Sequence, residues 1–265
     1  MKTIAGTSYA RERAIQLRLL AAIERKYESQ YRKEIKRATL AVIESSTGRE
    51  KNAAEETHRE NIKRILLGNW NTTFNRFGER ILTPSQKSIW RGIETKDFML
   101  DPAMAYKLAA ERWAARYGAS RLTEVVGTTS KDAQLIVSRA TAQAVRDNLD
   151  ERAAGLYIQA EIASKASSIS RLRSRVIART ETHTASQSAS YEAAKATGIN
   201  VKKKWSASGD EERTRATHLA ADGDEVGMEE YFDVGGEALL YPGDPNGSAE
   251  NVINCRCVTL IVPAE

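Results

Sequence analysis

The sequence predicts an α+β protein with a mostly helical N-terminal two-thirds, including a long arm helix, followed by a small compact C-terminal domain with short strands. Proline is scarce, at 5 of 265 residues, and 6% of residues are aromatic, which favours helix over a β-sandwich. Before Gly198, apolar residues recur at helical spacing. After Gly198, short alternating segments are separated by turns such as Gly235-Gly236 and Asn246-Gly247.

The first helix is expected from about Ser8 to Ile43, with no proline inside it. A four-residue step drifts by about 40° on a helix of 3.6 residues per turn, so a row with that spacing winds around the helix. This predicts an arm that contacts several neighbours and argues against a two-stranded coiled coil. The apolar residues at this spacing are Ile15, Leu19, Ile23, Tyr27, Tyr31 and Ile35.

The remaining helices are expected to be shorter, because polar stretches and glycines interrupt the pattern. We expect a joint over 45–56, helices over 57–67 and 71–82, one from 101 to Gly118, one from 128 to Gly155, and one from about 167 to Gly198. The chain then divides into a variable helical arm at 1–100, a helical part at 101–198, and a small α+β end domain at 199–265. Trp70, Phe74 and Phe77 fit core packing better than stacking on nucleic-acid bases.

Charge is distributed unevenly along the chain. Residues 1–180 contain 33 Lys/Arg against 20 Asp/Glu, whereas residues 181–265 contain 7 against 15. Basic helices predict contact with phosphate backbones or an acidic protein surface, although solvated helix faces fit equally well. Arg171, Arg175 and Arg179 recur every four residues and could bind phosphates or carboxylates, or form a solvated or paired face.

The start of the chain has no apolar stretch of signal-peptide length, and no later run approaches a membrane span. We therefore expect synthesis in the cytoplasm and no membrane partner.

Cys255 and Cys257 are the two cysteines of the chain. A pair spaced by two residues is a poor disulfide, because so short a ring strains the bond, so free thiols or metal ligands are expected. On an extended segment both side chains point to one side. With His218, and with His183 as a fourth ligand, they predict one structural zinc. The alternative is two small buried thiols with His218 hydrogen-bonded nearby.

Catalysis would use Glu181 with His183, or His218 with Asp222, in a metal-assisted hydrolysis. The sequence has no phosphate-binding glycine loop, no nucleophile elbow and no paired metal-binding carboxylates. We therefore predict that the protein is not an enzyme and that no residue is catalytic.

Six motifs follow one another in the last part of the chain. Together they resemble the phage Mu F-like head morphogenesis family, the minor head proteins of tailed bacteriophages, and a looser likeness extends back to about Thr128. One departure is an extra acidic residue in the segment before Arg213. The motif residues are Arg179-Thr180-Glu181 with His183, Trp205, Arg213-Thr214-Arg215 with His218, Asp222, Tyr241-Pro242-Gly243-Asp244, and Asn254-Cys255-Arg256-Cys257.

The resemblance implies a structural minor head protein, associated with the portal protein and acting in head assembly and in DNA packaging or ejection. The partners it implies are the portal protein, the major capsid or scaffolding protein, and DNA through the basic helices. It places the protein in the virion, inside the head or at the portal vertex, and in the host cytoplasm during assembly. A sequence-independent DNA-binding protein and a metal-dependent hydrolase are the alternatives.

Overall fold

The computed structural model describes residues 2–45, 47–82, 102–207 and 212–264. In these described residues, four long helices come first and are followed by short strands and helices, so the α+β prediction is confirmed. The long helices are α1 (Lys2–Glu44), α2 (Gly48–Leu82), α3 (Pro102–Arg146) and α4 (Glu151–Ala196). The later elements are β1 (Val201–Ser206), α5 (Ala216–Ala220), β2 (Glu225–Gly227), β3 (Phe232–Val234), β4 (Glu237–Leu239), α6 (Ala249–Val252) and β5 (Val258–Pro263).

The helices are longer than the glycines and polar stretches predicted. The expected joint over 45–56 is wrong beyond residue 47, because α2 begins at Gly48. Thr47 and Glu50 form a reciprocal capping box there: the Glu50 N–H donates to Thr47 Oγ1 at 3.2 Å and the Thr47 N–H donates to Glu50 Oε2 at 3.1 Å. Gly118 and Gly155 both lie inside helices, where a glycine costs only about 1 kcal/mol relative to alanine.

The break between α3 and α4 falls at a turn that the sequence analysis did not identify. Asn148 follows the end of α3 with a φ of 50°, a left-handed conformation that asparagine tolerates better than most residues. Asp150 caps the N-terminus of α4, because its Oδ1 accepts the Ala153 N–H at 2.8 Å. An asparagine followed two residues later by an aspartate is a sequence pattern that indicates such a helix break.

The chain forms two compact units, each assembled from separate stretches. The mixed unit comprises Met1–Glu24, Asn69–Arg116 and Arg179–Glu265, and the helical unit comprises Arg25–Gly68 and Tyr117–Ala178. The division at residues 100 and 198 follows chain order and stays a prediction. None of the helices described above has an apolar stretch of the length and hydropathy that crossing a bilayer requires.

In the helical unit, the predicted apolar row of α1 is buried, whereas its first members, Ile15 and Leu19 in the mixed unit, are only half-buried. Tyr27, Tyr31 and Ile35 are at most 4% exposed, and the Tyr27 hydroxyl donates to the Gly68 carbonyl oxygen at 2.6 Å. Glu34 is also buried on this helix, where its carboxylate accepts hydrogen bonds from the Arg37 guanidinium and contacts the His58 ring. The winding row therefore packs into a core that also contains an ion pair.

The mixed unit contains an antiparallel sheet of order β2-β1-β5 and a separate two-stranded hairpin, β3-β4. Trp205 of β1 is opposite Thr259 of β5 in the register, and its side chain is fully buried. Its ring makes an edge contact with Phe232 of β3, with centroids 5.3 Å apart. Trp205 therefore anchors the core on which the cluster described below is built.

Side chains from two helices pair the outer edge of β5. The Gln187 Oε1 accepts the Thr259 N–H at 2.7 Å, and the Gln16 side chain donates to the Thr259 carbonyl oxygen at 3.3 Å. His183 contacts the Cys257 carbonyl oxygen through Nε2 at 2.7 Å. An edge strand exposes unpaired backbone groups, and here helix side chains satisfy them in place of another strand.

Candidate metal centre

His218, Cys255 and Cys257 come together in the core of the mixed unit. One ligand atom from each lies within 4.8 Å of the others, and all three residues are at most 2% exposed. His218 Nδ1 is 3.4 Å from Cys257 Sγ and 3.6 Å from Cys255 Sγ. Both cysteines are free, in agreement with the prediction that they do not pair. We call these three residues the His–Cys–Cys cluster.

Local turns bring the cluster together. His218 lies on α5, whereas the two cysteines follow the short helix α6. The turn after α6 requires Asn254 at a φ of 59°, and the Asn254 N–H donates to Thr180 Oγ1 at 3.2 Å. Alternation along the extended segment that follows then directs both thiols to the same side.

The second ring nitrogen of His218 is held by an asparagine. Asn251 is 8% exposed, and its side-chain amide nitrogen donates to the Val234 carbonyl oxygen at 3.4 Å. Its Oδ1 therefore faces His218 Nε2, 3.1 Å away, and accepts a hydrogen bond from the Nε2–H group. This network leaves Nδ1 with its lone pair towards the two sulfurs, as expected of a metal-binding histidine whose other N–H is hydrogen-bonded.

The two thiols affect one another. The hydrogen bond with Cys257 and burial raise the pKa of Cys255 above its ordinary value, so without a cation the Cys255 thiol holds its proton. Two chemical states fit the geometry: a thiol donates to His218 Nδ1, or the three ligand atoms hold a soft or borderline cation. The cluster is therefore compatible with both sequence-based hypotheses, a structural zinc and a pair of buried thiols hydrogen-bonded to His218.

His183, expected as a fourth ligand, has a different place. Its Nε2 donates to the Cys257 carbonyl oxygen, and its ring lies against the Gly243 backbone, where a Cβ atom would come within 2.6 Å of Nδ1. Burial lowers the pKa of His183 to about 4, so the ring is neutral. His183 is a hydrogen-bond donor to β5 and is not among the three clustered ligands.

An arginine-lined cavity adjoins the cluster. Its volume is about 440 Å³, and its wall includes the three cluster residues. Arg179 donates to Asn254 Oδ1 at 3.3 Å, and Glu24 lies 3.8 Å from Arg179 Nε and 3.6 Å from an Arg256 terminal nitrogen. The other lining residues are Leu17, Arg213, Thr214 and Arg215.

The remaining motif residues shape the fold around the cluster. Asp244 accepts the Leu240 and Asn246 N–H groups, each at 2.9 Å, and so closes the turn that holds Gly243. The other motif contacts are the Ala207 N–H to Asp222 at 2.7 Å, the Trp70 indole N–H to Glu181 at 3.2 Å, and the Tyr241 ring 5.6 Å from Tyr191, with Pro242 buried beside it.

Of the predicted arginine row, Arg179 lines the cavity. Arg175 belongs to the helical unit and lies 3.8 Å from Glu28, and Arg171 is exposed there. Sequence reasoning missed Asn251 and Glu24. The position of Asn251 could have been predicted, since it is the third residue after the helix-capping Ser248, whereas no sequence pattern distinguishes Glu24.

The fold and cluster define a class of protein: a long-helical chain whose small α+β portion has a His–Cys–Cys cluster in its core. Residues 136–260 match the family model described as Phage Mu protein F like protein. The resemblance to the Mu F-like family is therefore confirmed for that region, and this family points to a phage head protein.

Two relatives share part of the chain. NAD(+)--arginine ADP-ribosyltransferase EFV of Enterococcus faecalis (strain ATCC 700802 / V583) is 44% identical over 89 residues, which are 32% of this chain and 18% of the relative. Uncharacterized protein YqbB of Bacillus subtilis (strain 168) is 36% identical over 91 residues, 33% of this chain and 30% of the relative. The chain thus spans less than a third of either relative, and no solved structure shows significant similarity to it.

Proposed function

We propose that this protein is a structural minor head protein that binds the portal protein of its phage and acts in head assembly and in DNA packaging or ejection. The match of residues 136–260 to the Mu F-like family supports this proposal most directly. In this role the protein is a virion component at the portal vertex, and the major capsid or scaffolding protein is a further partner. The named transferase activity belongs to the E. faecalis relative, and we retain the prediction that this chain is not an enzyme.

The test is co-sedimentation with portal rings encoded by the same phage genome. We expect the protein to move with the rings through a density gradient and to appear in purified particles by mass spectrometry. Rings from an unrelated phage are the control. A protein that stays at the top of the gradient with its own portal, and is missing from particles, contradicts the proposal.

DNA binding through the basic helices is the second candidate function. The helical unit contains 20 Lys/Arg against 13 Asp/Glu, and its Arg171 and Arg175 are exposed. Contacts to phosphates give affinity that is independent of sequence and falls steeply with salt.

The corresponding test is retention of duplex DNA at increasing salt. Changing both Arg171→Gln and Arg175→Gln should weaken retention and reduce the slope of log affinity against log salt by about 2, roughly one for each lost phosphate contact. Lys202→Gln, an exposed charge of the mixed unit, is the matched control. This function is excluded if the Arg171/Arg175 double variant and the Lys202→Gln control weaken retention equally, or if DNA is not retained even at low salt.

For the cluster we propose a structural zinc held by His218, Cys255 and Cys257. The oriented histidine lone pair between two buried sulfurs supports this proposal, because histidine nitrogen and cysteine thiolate are ligand types that zinc binds in proteins. A bound zinc would connect α5 to the segment that leads into β5. Binding of metal to such a site stabilises the folded state, since the unfolded chain has no preformed site.

Metal analysis of the purified protein tests this proposal. We expect about one zinc per chain, and loss of zinc with a lower melting temperature in Cys255→Ser and Cys257→Ser. Ala221→Ser places a hydroxyl in the same core without removing a ligand, and it should retain zinc. Absence of zinc together with near wild-type melting of both cysteine variants supports the thiol alternative instead.

A further inference from the structure

The cavity beside the cluster has an unusual wall. Four of its ten lining residues are arginines, and none of those ten, all from the described part of the chain, is an aspartate or a glutamate. Thr214 and Asn254 add neutral polar groups, and the His–Cys–Cys cluster forms another part of the wall. Several guanidinium groups around one cavity of about 440 Å³ are a recognition surface for a small anion.

The arginines are held in place by neighbours. Arg215 donates to the Ile253 carbonyl oxygen at 2.5 Å, and Arg179 donates to the Asn254 side chain. Glu24 is a carboxylate near this wall, and it is shared by Arg179 and Arg256 at distances of 3.8 and 3.6 Å. Two guanidinium groups that share one carboxylate retain positive charge, and their fixed positions reduce the entropy lost when an anion binds.

We propose that this cavity binds a phosphate group. A carboxylate has two oxygens in one plane, which a single arginine can satisfy through a bidentate pair. A phosphate has oxygens in several directions, so arginines on different sides of one cavity can each reach one. The zinc proposed above would contribute to this site in one respect: if His218, Cys255 and Cys257 hold a zinc, the ion would add positive charge to the wall of the cavity.

The test is calorimetric titration of the zinc-loaded full-length protein with inorganic phosphate, with acetate as the competing anion. We expect saturable phosphate binding that weakens at least about 10-fold in Arg256→Gln, because one charge-assisted hydrogen bond is lost. Arg256 is suited to this change, since its side chain is 40% exposed and the fold should survive the loss. Arg213→Gln, at another exposed lining residue, should weaken binding in the same direction.

Arg59→Gln is the matched control. It removes the same charge from an arginine that is 39% exposed and also lies near a glutamate, Glu56 at 3.8 Å, but Arg59 belongs to the helical unit and does not line the cavity. Phosphate binding should be unchanged in this variant. Two thymidine dinucleotides identify the source of the phosphate group. Binding of only the 5′-phosphorylated form indicates a terminal phosphate, and equal binding of the 5′-hydroxyl form indicates a backbone phosphate.

Three results overturn the proposal: no saturable binding by phosphate, equal binding by acetate, or equal weakening in Arg256→Gln and Arg59→Gln. Metal analysis of the same samples separates it from the zinc proposal. If zinc is bound and phosphate is not, the phosphate site is wrong and the metal site stands. If phosphate binds with the expected variant pattern to a protein that holds no zinc, the arginine site stands and the metal site is wrong.

Discussion

Two stretches of the same helix, α4, differ in how much of their surface is exposed. Residues 152–175 lie in the helical unit and include large exposed apolar side chains, with Leu156 62% and Leu172 63% exposed. Residues 180–191 lie in the mixed unit, and every one of them is buried. The buried stretch is rich in Ser, Thr and Ala, whereas the exposed stretch contains the leucines. Residue size and packing partners, and not hydrophobicity alone, thus decide which part of this helix becomes core.

The buried stretch is stabilised by directed contacts. Thr182 Oγ1 donates to Asn69 Oδ1 at 3.0 Å, Ser186 Oγ donates to the His183 carbonyl oxygen at 2.7 Å, and Gln187 accepts from β5. Buried polar groups are costly unless they are paired, so these contacts allow a polar helix to be enclosed. Beside this stretch, the absence of a side chain at Gly243 lets its backbone approach the His183 ring closely.

The largest effect should come from overpacking the buried stretch. Ala189 is 0% exposed, and Ala189→Leu adds three carbons where the core has no room, so we expect a loss of about 3 kcal/mol in the free energy of unfolding. Ala160→Leu makes the same change on the exposed stretch and should alter stability by less than about 0.5 kcal/mol. Denaturant unfolding measures both. Similar losses in the two variants contradict the contrast drawn above.

The pH dependence of the unfolding free energy tests a buried charged group in the helical unit, Glu34. Burial alone would raise the pKa of Glu34, but hydrogen bonds from His58 and Arg37 lower it to about 2. A carboxyl with a lowered pKa stabilises the fold above its unfolded pKa of about 4.5, and this contribution is lost as the pH falls towards 2. The expected loss is about 2–3 kcal/mol.

Glu34→Gln should reduce the pH dependence between about 4.5 and 2, measured by denaturant unfolding at each pH. Glu60→Gln changes an exposed carboxylate of the same unit and is the control, so its pH dependence of stability should match that of the wild type. A Glu34→Gln curve with the full wild-type slope would show that Glu34 does not carry this contribution.

Removing the side chain that pairs the β5 edge should have a smaller effect. Gln187→Ala leaves the buried Thr259 N–H without its acceptor, so we expect a loss of about 1–2 kcal/mol in unfolding free energy. Gln159→Ala, on the exposed stretch of α4, should be near neutral. Hydrogen exchange of the Thr259 amide provides a local measurement, and unchanged protection in Gln187→Ala contradicts the assignment.

The smallest effect is expected from the exposed leucines. Leu172→Ala removes an apolar side chain that is 63% exposed, so thermal unfolding should change by less than about 0.5 kcal/mol. A loss of 2 kcal/mol or more would show that Leu172 is buried by a partner in solution, and sedimentation analysis would then report an oligomer.

Residue type and local spacing carried the sequence predictions that succeeded. The row from Ile23 to Ile35 showed both the long first helix and its buried side, and the residue types of Cys255, Cys257 and His218 indicated the cluster. The predictions that failed depended on tertiary placement. No local pattern shows that His183 faces the β5 edge, or that packing carries the helices through Gly118 and Gly155.

The polar stretch of α4 has no apolar periodicity, because its neighbours enclose it on every side. Without that periodicity, the sequence alone could not indicate its burial.

X-ray absorption at the zinc edge of the purified, zinc-supplemented protein tests the central claim about the cluster most directly. We predict two sulfur ligands at about 2.3 Å and one histidine nitrogen at about 2.0 Å, with the sulfur contribution reduced in Cys257→Ser. The His183→Gln spectrum should match the wild type, because His183 donates to a carbonyl and binds no metal. A zinc environment without sulfur, or no bound zinc, would contradict the proposal that His218, Cys255 and Cys257 bind zinc.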